Sequence, residues 1–282
     1  MSQHSSDVSR LSLDPNQKPD SETMNATTID TPAANDDFKP WRAYVLEAKC
    51  EVLRALRTPA FAIPSLLFPP LFYLLFALLL NRGNSGASHY LFATYSIFGV
   101  MAPGLFGFGV SVAIERERGW LALKRVAPMP AGAYLAAKML MAMAFALIIY
   151  AMLATMAATL GGVRLDAVQW LALGLIVMLG VLPFCALGLM IGSRVNASAS
   201  PAIINFIYLP MAFLSGLWMP LTMLPKFIGD IAVAWPPYHL AQLALAATGG
   251  EYAGSPIVHA AYLAAFTVIC FTIAKRWLAR AN

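Results

Sequence analysis

A chain of 282 residues that is 59% apolar and only 12% charged, with a net charge of +5, lies far from soluble composition, in which about a quarter of residues are charged. That balance excludes an ordinary soluble domain, gives no ground for a nucleic-acid partner, and points to an integral membrane protein.

Residues 1–38 are rich in Ser, Asp, Asn, Thr and Pro, with scattered charge and no apolar period, a composition that cannot bury enough surface to offset chain entropy. They read as a disordered cytoplasmic tail. The tail lacks the basic start and apolar core of a cleavable signal, so the first span is expected to serve as its own insertion signal. Residues 40–57 change character. Trp41, Val45, Ala48, Val52 and Leu56 fall within about an 80° arc at helical spacing. Arg42, Glu47, Lys49, Glu51, Arg54 and Arg57 occupy the remainder. This is an amphipathic helix, ended by Thr58-Pro59, expected to rest in the inner interface with its apolar stripe in lipid.

Beyond it, six intervals contain no Asp, Glu, Lys or Arg: 58–81, 83–114, 139–163, 167–193, 195–225 and 252–274. A helix needs about 20 residues to cross the hydrocarbon core, and each interval exceeds that. The expected spans are about 60–80, 89–112, 134–160, 168–192, 198–219 and 255–274, within a transmembrane region 58–275. A further charge-free interval, 231–250, carries Pro236-Pro237 and ends in Gly249-Gly250. Paired prolines oppose a continuous spanning helix. Six spans also leave 16 of the 19 Lys and Arg inside, with Arg82, Arg164 and Lys226 outside, as the positive-inside rule favours. A seventh span would reverse Lys275, Arg276 and Arg280. Residues 221–250 therefore read as a re-entrant or short-helix outer segment. The fold class is an all-α integral membrane protein with six transmembrane helices and both termini inside.

Catalytic signals are missing. Cys50, Cys185 and Cys270 are odd in number and far apart, and His4, His89, His239 and His259 make no metal-ligand spacing. No phosphate-binding loop or nucleophile elbow occurs. Nor is an ionisable residue expected in the middle of a span, where ion-driven carriers commonly keep one. Transport powered from elsewhere fits better, with a channel, an ion-coupled carrier or a noncatalytic scaffold as alternatives.

The densest charge in the apolar region is Glu115-Arg116-Glu117-Arg118-Gly119, followed by Trp120-Leu121-Ala122-Leu123-Lys124-Arg125-Val126 and Pro128-Met129-Pro130. A second set follows the fifth span: Ser215-Gly216-Leu217-Trp218-Met219-Pro220, Leu224-Pro225 and Trp235-Pro236-Pro237-Tyr238. In this order the motifs resemble those of permease subunits of type-2 ABC exporters, over roughly residues 40–275. Trp120 and Ala122 depart from that pattern, which carries a small hydroxyl residue and an acid at those places.

The resemblance implies a permease without its own ATPase site or bound cofactor. ATP and Mg would belong to a partner ATP-binding cassette subunit, and two permease copies, or this chain and a paralogue, would pair in the lipid of a bacterial inner membrane. It also implies that residues 115–130 form a cytoplasmic coupling loop or helix, with Glu115, Arg116, Glu117, Arg118, Gly119, Trp120, Leu121, Lys124, Arg125 and Pro128 as coupling residues. Ser215, Gly216, Pro220, Pro225, Pro236, Pro237 and Tyr238 are outer-gate candidates. The expected substrate is hydrophobic or amphipathic, drug-like (as in multidrug efflux) or lipid-like, with a surface glycan the lesser possibility.

Overall fold

The computed structural model describes residues 40–81, 83–120 and 132–280, and all their regular elements are helical. The predicted tail, Arg82, Leu121, Lys124, Arg125 and Pro128 lie outside the described residues.

Helix α1 spans Pro40–Leu56. It is followed by α2, Pro59–Leu80, whose first part is α-helical and whose last turns, Leu74–Leu80, widen to π geometry. Pro59 opens α2 at a position where no intrahelical donor is needed. Helix α3, Ser85–Glu117, is 33 residues long. At about 1.5 Å per residue it is longer than a hydrocarbon core is thick. Asn84 caps its start by accepting the Ala87 amide at 3.0 Å. Pro103, lacking an amide hydrogen, begins a π-helical stretch Pro103–Val110 within it. The described backbone of α3 continues past the expected 89–112 and takes Glu115, Arg116 and Glu117 into its final turns.

Helix α4 is Ala133–Thr159 and α5 is Ala167–Gly192. Asp166 and Gln169 form a reciprocal capping box at the start of α5. Helix α6, Ser200–Leu214, has only 15 residues. The segment read as a fifth span thus forms a shorter helix than expected, because the chain leaves helical geometry at Ser215 and turns at Gly216. Among the described residues, five helices, α2 to α5 and the last, α9 at Pro256–Arg280, are long and apolar enough to cross a membrane. Between α6 and α9 lie a 3-10 turn at Leu221–Met223 and two short α-helices, α7 at Lys226–Ala232 and α8 at Pro236–Thr248. Pro236 and Pro237 initiate α8 rather than interrupt it, and at 13 residues it falls below spanning length.

The core is built on α3, whose central residues Phe92 to Met101 are almost wholly buried among α2, α4, α5 and α8. Its closest partner is α5. A Cβ added at Gly188 would lie 2.8 Å from the Gly104 carbonyl, and one at Gly109 would lie 2.9 Å from the Gly188 carbonyl. These glycines therefore serve close backbone approach within one chain. Helix α1 lies along α4, which covers part of the stripe expected to rest in lipid. Tyr44, Ala48, Glu51, Val52 and Ala55 turn toward the protein, while Trp41, Val45 and Leu56 are exposed. Phe145 and Met141 of α4 take up the apolar contacts with Val52 and Ala55. The packed stripe includes a carboxylate because α4 offers that carboxylate a lysine.

Candidate functional site

The predicted coupling motif sits where the end of α3 meets α1, the start of α4 and the turn between α5 and α6. Its three charged helix residues point to different partners. Glu115 is fully buried. Its Oε1 accepts from Arg54 Nη1 of α1 at 2.8 Å and from Lys138 Nζ of α4 at 3.1 Å, while Tyr134 Oη of α4 donates to its Oε2 at 2.5 Å. Lys138, also fully buried, donates to Ser111 Oγ at 2.9 Å and reaches Glu51 Oε2 at 3.3 Å. Arg54 additionally approaches Glu51 at 3.5 Å.

Two carboxylates and two cations thus share one largely enclosed space. Their attraction is strengthened by low dielectric, but withdrawal from water offsets much of it. The arrangement is retained only while every member keeps its partner. Burial works against the charge on Arg54, yet the hydrogen bond and charge of Glu115 prevail and raise its hold on its proton.

Arg116 turns to the opposite side. Its guanidinium donates to the Ser193 carbonyl and, at 2.9 Å, to the Val195 carbonyl, both just beyond α5. Glu117 accepts the Ala197 amide at 2.7 Å, in the turn that leads to α6. Three successive residues therefore fasten α3 to α1 and α4 on one side and to the α5–α6 turn on the other.

The surface begins immediately afterwards. Gly119 adopts φ +71°, a left-handed conformation that ends the helix and that a proline ring cannot adopt. Trp120 is 39% exposed, with the guanidinium groups of Arg118 and Arg54 at 5.1 and 6.0 Å from its ring. Arg118, Gly119 and Trp120 are accessible; Glu115 is not.

Glu51, Arg54, Ser111, Tyr134 and Lys138 were not singled out as site residues by sequence. The available signal was the placement of isolated charges at apolar boundaries: Glu51 beside the packed stripe of α1, Glu115 after a charge-free run and Lys138 before one. Both Glu115 and Lys138 lie within the long helices, near their ends rather than their middles.

Only some of the outer-gate candidates line one cavity, near the opposite end of α3. Ser215, Pro220 and Tyr238 line a 1030 Å³ cavity together with His89, Tyr90 and Trp218. Gly216, at φ +75°, presents its carbonyl to Tyr90 Oη at 2.7 Å. Pro236 and Pro237 are buried in the first turn of α8, whereas Pro225 is exposed before α7. Ser215 Oγ, Trp218 Nε1 and His89 Nε2 are buried without protein partners. The gate residues are therefore split between cavity wall, helix start and surface.

Among the described residues, no three His, Cys, Asp or Glu side chains gather into a metal-binding group. Comparison with known proteins places this geometry in context. The model of the family described as "ABC-2 type transporter" matches residues 44–248. The Bacillus subtilis (strain 168) protein named "Putative transport permease YvfS" is 30% identical over 193 residues, covering 67% of this chain and 78% of that protein.

Proposed function

The chain belongs to the ABC-2 type transporter family, and from that membership we propose that it is the permease subunit of an ATP-binding cassette exporter. A separate subunit hydrolyses ATP with its bound Mg, and two permease chains, identical or paralogous, form the pathway. The charged end of the helices faces the cytoplasm of a bacterial inner membrane, and the cargo is hydrophobic or amphipathic, drug-like or lipid-like.

The observation that carries this reading is the division of labour across residues 115–120. Arg118 and Trp120 offer an accessible aromatic-cationic contact of the kind that anchors protein interfaces. Glu115, Arg116 and Glu117, immediately before it, are bonded to three other parts of the chain. A partner that displaces the Arg118–Trp120 surface thereby pulls on α1, α3, α4 and the α5–α6 turn together. This extends the expected role of Glu115: its carboxylate transmits displacement between helices, and the neighbouring surface receives it.

The test is gentle purification from native membranes of the full chain and of an Arg118→Ala/Trp120→Ala variant, followed by ATP-dependent transport in inverted vesicles. A Walker-motif ATPase should accompany the first and be depleted from the second, with ATP-driven transport lost in parallel. Normal ATPase association and transport by the variant would reject this surface as the contact.

An ion-coupled carrier is the second reading, favoured by the burial of Lys138 and Glu115 within long helices. Transport in ATP-free vesicles under an imposed proton or sodium gradient would select it.

A further inference from the structure

Far from the ion cluster, His239 at the start of α8 and His259 at the start of α9 form a buried pair, 4% and 5% exposed. Their Nδ1 atoms are 2.8 Å apart. Each ring has its other nitrogen on a backbone carbonyl: His239 Nε2 lies 2.8 Å from the Val233 oxygen, and His259 Nε2 lies 2.7 Å from the Ala253 oxygen. A carbonyl can only accept, so both Nε2 atoms must carry hydrogen. Two neutral imidazoles have one N–H each, and those two hydrogens are thereby used. The remaining Nδ1···Nδ1 contact then opposes two lone pairs unless a third proton lies between them.

We propose that His239 and His259 bind one shared proton, and that this singly protonated pair is a pH-dependent clasp holding the α7–α8 segment to α9.

The surroundings suit one positive charge and oppose two. The Tyr262 ring stacks on His239 at 3.8 Å between centroids, presenting its π face to the cation. Its hydroxyl donates to the Ala234 carbonyl, adding a second tie between α9 and the chain before α8. Tyr238 sits against both imidazoles at 5.4 and 6.0 Å. Helix α5, packed against α8 and α9, carries no Asp, Glu, Lys or Arg from Ala167 to Gly192. The titratable contribution of α3 on this side is His89, associated with Thr248 at the other end of α8. Lys226 and Asp230 of α7 and Glu251 after α8 are exposed.

Burial pushes His239 below its ordinary proton affinity; the Val233 carbonyl opposes that shift, and charge on His259 adds to it. Because the two rings share one proton, the pair gains and loses protons in two separate steps. The clasp is made between those steps. It opens as pH falls through the lower one, when both rings are cationic, and again as pH rises through the upper one, when the shared proton leaves. Its identity does not depend on what the chain transports or what drives it.

The decisive measurement uses the full chain in lipid nanodiscs with ¹⁵N-labelled histidine, together with amide exchange across residues 233–253. At about pH 7, two histidines should show protonated Nε2 and one strongly deshielded proton shared by their Nδ1 atoms. Exchange, corrected for intrinsic rates, should rise about tenfold at both the acidic and the alkaline limit of the pH range scanned. His259→Asn places an amide donor near the former Nδ1 and should retain protection at the alkaline limit. His259→Phe should remove protection at all three values. Flat exchange in the natural chain, two neutral rings without a shared proton, or a stoichiometric metal bridging the Nδ1 atoms would each overturn the proposal.

Discussion

The two ends of α3 are fastened by opposite chemistry. At its C-terminal end, formal charges bind three neighbouring regions through Glu115, Arg116 and Glu117. At its N-terminal end, Tyr73 donates to the Ser88 carbonyl at 3.3 Å and Tyr90 to the Gly216 carbonyl at 2.7 Å, beside a cavity with unpaired polar atoms. An enclosed ion network resists partial separation because each step strands a charge. Neutral bonds around a cavity can be exchanged for water or ligand at smaller cost. On the proposed function, the charged end would be the one to transmit force and the neutral end the one to rearrange around cargo.

The strongest way to break that contrast is Lys138→Met. Among the described residues it removes the fully buried cation that contacts both Glu51 and Glu115, while the half-exposed Arg54 still reaches both carboxylates. A loss of about 3–5 kcal/mol is expected, read as reduced thermal stability in detergent. Adding Glu115→Gln should recover part of it by deleting the stranded charge. Unchanged stability in the single variant would mean that the cluster is not a structural lock.

Gly188→Ala should have the next largest effect. The new methyl would meet the Gly104 and Leu105 carbonyl oxygens at 2.8 and 3.0 Å, and neither is a flexible side-chain end. Separation of α3 from α5 should cost about 1–3 kcal/mol. Gly229→Ala is the matched control, since its Cβ would meet nothing within 4 Å. Equal melting of the two variants would contradict the close-packed α3–α5 contact.

Much of this organisation is legible before folding because lipid makes composition speak for location. Charge-free runs identified the apolar segments, and Pro236-Pro237 separated α8 from a spanning helix. The early end of α6 was less visible: Ser215 and Gly216 lie inside a charge-free run, so composition gave no boundary where the backbone turns. Glu51 escaped selection for a different reason. An amphipathic arc places it on the polar side of α1, but only the tertiary approach of Lys138 makes that side an interior. Likewise, His239 and His259 are separated by 20 residues, and their partnership arises from α8 folding back on α9.

Glu117→Ala should perturb the other fastening of the charged end more modestly. It removes the acceptor for Ala197, whose amide lies in an exposed turn that water can reach. The expected stability loss is about 0.5–1.5 kcal/mol, accompanied by faster amide exchange from Val195 to Ser200. Protection unchanged there would show that Arg116 alone holds the α5–α6 turn.

Trp120→Ala should change stability least, by less than about 0.5 kcal/mol, because its ring is substantially exposed and its arginine neighbours retain water. Yet it removes the broad apolar face beside the fastened end of α3. If that surface receives force, ATPase association and ATP-driven transport should fall while the melting temperature stays near that of the natural chain. Lys138→Met should instead lower stability first. The opposing order separates contact with a partner from transmission inside the permease; if both variants fail only through unfolding, the proposed division between surface and lock is lost.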